Sequence, residues 1–183
     1  MTHKILVVYG SPRKQGNSSI LADAFIEGAE AAGNEVFRAD AGHAHIAGCL
    51  GCEYCFSHEG QCCQDDEMQQ FYPLLHECDV LVYATPVYCF TFSSQIKAFM
   101  DRMFCGIGKP FAIKSTVLLT VCEDKDASIL QHIIGTYRAL VGYSGWEDRG
   151  VVAVHDVYKK GAIAGNPKLE EARELGRSFG REE

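Results

Sequence analysis

Short, nearly continuous apolar runs alternate along the chain with longer stretches whose apolar residues recur every three or four positions. The runs at residues 4–9, 35–40, 79–85, 116–122 and 150–155 read as strands. Asp79-Val80-Leu81-Val82-Tyr83-Ala84-Thr85 has almost no polar alternation, as a parallel strand covered on both faces requires. Between the runs lie helical patterns. Leu21, Ala24, Phe25, Gly28 and Ala32 share one face of a helix over about 18–32, which Gly33-Asn34 stops. A short helix is expected from Glu67 to His76. Ile96, Phe99, Met100 and Met103 give the next helix its stripe, and Ile129, Leu130, Ile133, Ile134, Tyr137, Leu140 and Val141 give another. Asn166-Pro167 supplies a cap and a first-turn proline to a last helix with Leu169, Ala172, Leu175 and Phe179 on its face.

Five strands with intervening helices predict an α/β fold: a doubly wound, five-stranded parallel sheet in the order 2-1-3-4-5, within one domain spanning residues 1–183. In that order the ligand crevice lies at the carboxyl ends of the first and third strands, where the connections diverge to opposite faces. The loops leaving those two strands therefore carry the candidate chemistry.

The first is Gly10-Ser11-Pro12-Arg13-Lys14-Gln15-Gly16-Asn17-Ser18-Ser19. A polar, glycine-bounded loop between strand and helix suits a phosphate, because loop amides and the helix N-terminus both present N–H donors to an anion. Ser11, Ser18, Ser19 and Asn17 add side-chain donors, and Arg13 adds a planar cation. A nucleotide P-loop is excluded, since Asn17 stands where its lysine belongs, and no G-x-G-x-x-G occurs. A phosphatase loop is excluded as well, because no cysteine precedes Cys49. The second loop is Thr85-Pro86-Val87-Tyr88-Cys89-Phe90. Pro86 is expected to end the strand. Apolar and aromatic side chains at a crevice mouth offer a surface for a flat heteroaromatic ring. A phosphate at one loop and a flat ring at the next describe a mononucleotide.

Composition narrows the partners. The 183 residues carry a net charge of −7 with scattered basic residues, so no nucleic-acid surface is expected and the attraction for an anion must be local, as at Arg13. The apolar run after Met1-Thr2-His3-Lys4 is too short for a secretion signal, and no run approaches the ~20 apolar residues of a membrane span. These features lead to the expectation of a cytoplasmic protein without a membrane partner. Nine cysteines then argue for thiol chemistry over a disulfide framework.

Together, Gly10-Ser11-Pro12-Arg13, Gly16-Asn17-Ser18, Thr85-Pro86-Val87-Tyr88, Gln95-x-Lys97-x-Phe99-x-Asp101-Arg102 and the late Gly145-Trp146 and Asn166-Pro167 resemble the NADPH-dependent FMN reductase family of flavodoxin-like proteins. The resemblance implies that Ser11, Arg13, Asn17, Ser18 and Ser19 hold the FMN phosphate. It implies that Pro86, Val87, Tyr88 and Cys89 line the isoalloxazine, with Thr120-Val121-Cys122-Glu123 nearby, and that the protein is a homodimer or homotetramer. Lys97, Asp101 and Arg102 are read from their helical spacing as a polar face or an interface salt bridge.

The irregular stretch from Ala41 to Asp65 is long for a loop in a compact domain and contains Cys49, Cys52, Cys55 and Cys62 as C-x2-C-x2-C-x6-C. Four thiolates so spaced can hold a [4Fe–4S] cluster, and zinc suits the same ligands. The segment resembles that of the iron–sulfur flavoproteins. Similar segments also occur in flavin-only relatives, where the cysteines are small packing residues. Two functions follow as expectations. One is an FMN-dependent oxidoreductase that takes hydride from NAD(P)H and reduces a quinone, a flavin or another small acceptor. The other is an iron–sulfur flavoprotein acting as an electron carrier or redox sensor.

Overall fold

The computed structural model describes residues 2–180. In chain order its strands are β1 (Lys4–Tyr9), β2 (Glu35–Ala39), β3 (Val80–Tyr88), β4 (Thr91–Phe92), β5 (Ser115–Val121) and β6 (Glu147–Val154). Its helices are α1 (Asn17–Ala31), α2 (Tyr54–Ser57), α3 (Tyr72–Glu77), α4 (Ser94–Arg102), α5 (Leu130–Ser144) and α6 (Lys168–Ser178). Strands β2-β1-β3-β5-β6 form a parallel sheet, and the two-residue β4 pairs antiparallel with β3. With β4 set aside, this is the 2-1-3-4-5 order the sequence predicts.

The central strands are apolar on both sides because both sides are covered. Ile5, Val7, Val80, Val82, Val117 and Leu119 face α1 and α6. Leu6, Val8, Leu81, Tyr83 and Leu118 face the layer of α3, α4 and α5. α1 and α6 touch backbone to backbone. A methyl group built on Gly28 would collide with the Arg173 carbonyl, and one built on Gly176 with the Phe25 carbonyl. This contact holds α1 against the middle of the sheet, and the N-terminus of α1 opens into the crevice.

Three expectations are corrected. The helix expected over 67–76 is a 3-10 turn at Glu67–Gln70 followed by α3, with Pro73 in the first turn of α3. The last strand begins at Glu147 rather than Gly150. β3 does not end at Pro86 but continues to Tyr88. The β1 ladder stops at Ala84, so on that side no neighbour requires the N–H that Pro86 lacks, and β5 alone pairs with it. No helix among the described residues is long and apolar enough to cross a membrane.

Candidate functional site

The loops after β1 and β3 are fastened together at the crevice. The Gly10 N–H donates to the Ala84 carbonyl at 2.8 Å, and the buried Ser93 hydroxyl donates to the Gly10 carbonyl at 2.5 Å. The Ser93 N–H in turn donates to Thr85 Oγ1 at 3.4 Å. Gly42 lies so close that a methyl group on it would strike the Ser11 backbone. This second anchor fixes the loop from the β2 side.

Helix α1 starts without a side-chain cap. Gly16 holds the N-cap in extended geometry, and the first intrahelical bond runs from Ile20 N–H to Gly16 carbonyl. The N–H groups of Asn17, Ser18 and Ser19 therefore lack intrahelical acceptors. No acidic residue occupies the first turn, so the positive end of the helix is left uncompensated. Ser11, Ser18 and Arg13 line the cavity in front of these amides, a space of about 370 Å³. The Ser19 side chain does not line it, which leaves Ser19 its backbone N–H.

Asn17 does more than the sequence suggested. Its Nδ2 donates to the carbonyls of Val157 at 3.1 Å and Lys159 at 2.9 Å, and its Oδ1 accepts from Ile163 N–H at 3.4 Å. The side chain thus pins the loop after β6 as a wall of the cavity, and only the backbone amide remains for an anion. Tyr158, on that wall, was not foreseen. The Arg13 guanidinium stands 5.6 Å from its ring centroid, and Nη1 donates to its carbonyl at 3.2 Å.

Pro86, Val87, Tyr88 and Cys89 line the opposite wall, with Val121, Cys122 and Glu123 beside them. Their shape comes from a hairpin the sequence does not announce. Val87 and Tyr88 pair with Phe92 and Thr91 across a two-residue turn, with φ of 47° at Cys89 and 66° at Phe90. Two consecutive left-handed residues suit such a turn, but Asn-Gly is its usual sequence, so Cys-Phe here stores backbone strain at the crevice mouth. Tyr88 is 38% exposed and Phe90 58%. Tyr88 lines the cavity and offers a partly exposed ring to a flat ligand, whereas Phe90 lies outside the lining, edge-on to His132.

The cysteine segment folds into a separate concavity. Gly51 and Glu53, with φ of 62° and 58°, curl the backbone so that Cys49, Cys52, Cys55, Cys62 and also Cys63 line one hollow with Cys105. Burial, then the neighbouring Cys62, Cys49 and Cys52 as thiolates, push the Cys55 thiol up. The sulfurs thus lie within electrostatic reach of one another. Cys52 Sγ and Cys63 Sγ stand 3.6 Å apart. Among the described residues no three Cys, His, Asp or Glu side chains converge closely enough for one metal ion. A zinc ion draws its thiolates to ~2.3 Å from one centre, whereas a four-iron cluster spreads its ligands around a larger body. His58 stacks on Tyr54 at 3.6 Å and does not line the hollow.

The polar face expected of α4 divides. Lys97 and Asp101 form the exposed i, i+4 pair that the spacing implies, at 2.5 Å. Arg102 instead is buried, only 1% exposed, and lines the cysteine hollow, where Nη1 meets Asp66 at 2.6 Å. Spacing along one helix could not show that the cysteine segment folds over that position. Burial tends to raise the Asp66 carboxyl, but the bonds from Arg102 and from the Ala47 and Met68 amides prevail and hold it below the usual carboxylate range. The Arg102 Nε is buried with no hydrogen-bond partner among the described residues. An unanswered N–H on a residue that lines the hollow together with these cysteines suits a sulfur-rich cluster there.

Comparison with known proteins agrees with this geometry. The family described as NADPH-dependent FMN reductase matches residues 3–166. An iron–sulfur flavoprotein of Archaeoglobus fulgidus is 38% identical over 126 residues, 58% of this chain and 57% of that protein, so the chain spans little more than half of that relative. One of Methanosarcina thermophila is 29% identical over 171 residues, 92% of this chain and 85% of the relative. The NAD(P)H:quinone oxidoreductase of Methanothermobacter marburgensis superposes with a TM-score of 0.76 at 17% identity, covering 100% of this chain and 98% of that one, and so shares the fold.

Proposed function

The chain belongs to the NADPH-dependent FMN reductase family, and so to the flavin-dependent oxidoreductases; we propose that it binds FMN in the crevice between the loops after β1 and β3. The phosphate takes the free amides of Asn17, Ser18 and Ser19, the hydroxyls of Ser11 and Ser18, and the Arg13 guanidinium. The ring lies along Pro86, Val87, Tyr88 and Cys89, with Val121, Cys122 and Glu123 behind it. The observation that carries this reading is the uncapped start of α1 opening on a cavity walled by the strained hairpin. Bound FMN supplies two-electron uptake from NAD(P)H and release in one or two steps. The residues supply binding, orientation and a dry wall, and no side chain in the cavity is required as an acid or base. The electron acceptor is a small molecule such as a quinone or a free flavin.

Stopped-flow mixing with NADPH under anaerobic conditions tests this directly. The flavin absorbance of the purified protein should bleach in a single turnover and return when a quinone is added. Protein that binds FMN but is not reduced by NADPH or NADH would sink the reductase reading and leave a carrier.

A second reading rests on the cysteine hollow with its orphaned Arg102 N–H. Here Cys49, Cys52, Cys55 and Cys62 would hold a [4Fe–4S] cluster, which would supply one-electron transfer and make the protein an electron carrier or redox sensor. We take the protein to be cytoplasmic on the ground that reducing conditions suit nine free cysteines.

A homodimer or homotetramer completes the proposal. A groove of about 690 Å³ between α4 and α5 is lined by Met100, Phe104, Ile107, Tyr143 and Trp146, with Tyr143 85% exposed. A second copy covering this apolar face would remove it from water. Light scattering should give two or four times the 20.2 kDa chain mass. A monomer at micromolar concentration would refute the assembly.

A further inference from the structure

Among the described residues Arg102 has the largest fully buried side chain. Its guanidinium reaches both ends of the cysteine segment. Nη1 donates to the Ala47 carbonyl at 3.0 Å, two residues before Cys49, and to Asp66 at 2.6 Å; Nη2 donates to the Gln64 carbonyl at 3.4 Å, just beyond Cys63. Tyr72 steadies the base of the side chain, its hydroxyl donating to the Arg102 carbonyl at 3.2 Å. These bonds make a clasp that closes residues 47–66 into a loop.

The clasp uses both terminal nitrogens and leaves Nε buried without an acceptor. A buried donor with no partner costs about 1–3 kcal/mol, so it calls for an acceptor. Arg102 lines the hollow formed by Cys49, Cys52, Cys55 and Cys62. A neutral thiol accepts hydrogen bonds weakly. A metal-bound thiolate or an inorganic sulfide carries negative charge and accepts well, and hydrogen bonds to sulfur help set the reduction potential of a cluster.

We propose that Arg102 is a positioning residue for a [4Fe–4S] cluster on these four cysteines, its Nε–H donating to a cluster sulfur and its charge raising the reduction potential. The inference rests on the cluster reading above. Reduction adds one electron and one negative charge to the cluster and moves no proton. A fixed cation at contact therefore stabilises the reduced form more than the oxidised one, and removing that cation lowers the potential.

The test compares wild type, Asp66→Asn and the double variant Arg102→Gln/Asp66→Asn. Each is reconstituted anaerobically with ferrous iron and sulfide, assayed for iron, and titrated redox-wise with electron paramagnetic resonance as the readout. The double variant removes both charges together and leaves no unpaired carboxylate, the change buried pairs tolerate best. All three should hold about four irons per chain. At the potential where the Asp66→Asn cluster is half reduced, the reduced-to-oxidised ratio in the double variant, which differs from it only at Arg102, should fall about tenfold, which is ~59 mV for a one-electron couple. Asp66→Asn alone, which keeps Arg102, should not lower the potential. A double variant with full iron and the same potential as Asp66→Asn overturns the proposal and leaves the cluster standing. Wild type that takes up no iron overturns the cluster reading itself. Should the double variant lose its iron, Arg102→Lys, which keeps the charge without the Nε donor, carries the test. Its potential should drop by less than tenfold in the same ratio, and an unchanged potential would again refute the hydrogen bond.

Discussion

Anaerobically reconstituted protein should carry about four irons per chain, and Cys55→Ser should carry none while still binding FMN. Cys55 sits in α2, where its carbonyl accepts from Gly60 N–H at 2.9 Å and packs against Gly108. The residue is held by its backbone, so a serine can occupy the same place. What changes is the ligand, since a hydroxyl is a harder and far less acidic donor than a thiol and does not replace thiolate on iron. The proposed FMN contacts come from the loops after β1 and β3 and share no residue with the hollow, so flavin affinity should stay within a factor of about two, the scatter expected for a distant site. Cys63→Ser supplies the contrast. Cys63 lies in the same hollow, 3.6 Å from Cys52 Sγ, but outside the proposed ligand set, so this variant should keep its iron. Full iron in Cys55→Ser, or its loss in Cys63→Ser instead, would reassign the ligands. An iron-free wild type after reconstitution would return these cysteines to packing residues.

The sheet is legible because its central strands β1, β3 and β5 are buried on both faces, which turns them into unbroken apolar runs such as Val80–Ala84. The phosphate loop was legible because glycine, serine and arginine between a strand and a helix have a physical use in that order. Long-range structure defeated the sequence elsewhere. The β3–β4 hairpin turns on Cys89-Phe90, which carries none of the Asn-Gly signal of such turns, so local sequence marks Pro86 as the end of the strand. Asn17 sits where a phosphate donor belongs in the loop, yet its side-chain amide is taken up by Val157, Lys159 and Ile163, about 140 residues away along the chain. Arg102 shares a helix with Lys97 and Asp101, and its spacing matched a solvated face. Its burial is decided by residues 47–66 folding over it, which periodicity within α4 cannot report. Tyr158 went unnoticed for the same reason, since it reaches the cavity only through the path of the loop after β6.

Arg13→Ala should weaken FMN binding by about 1.5–3 kcal/mol, roughly 10- to 150-fold, the range for a hydrogen bond to a charged group. Riboflavin, which lacks the phosphate, should bind the variant almost as well as it binds wild type. Arg13 is exposed and its guanidinium also rests on Tyr158, so the loss should sit nearer the lower bound and shrink as salt rises. Uncapped amides at the start of α1 remain in the variant, which keeps FMN binding measurable. Tyr88→Ala acts on the other half of the ligand. Its ring flanks the cavity on the hairpin, so removing it should weaken FMN and riboflavin alike, by about 1 kcal/mol for the lost aromatic contact. The two variants thus separate phosphate from ring by which ligand each one affects. Titrating both ligands by flavin fluorescence reads the result. Equal losses of FMN and riboflavin in Arg13→Ala would remove Arg13 from the phosphate, and a phosphate-selective loss in Tyr88→Ala would mean that the ligand lies the other way round in the crevice.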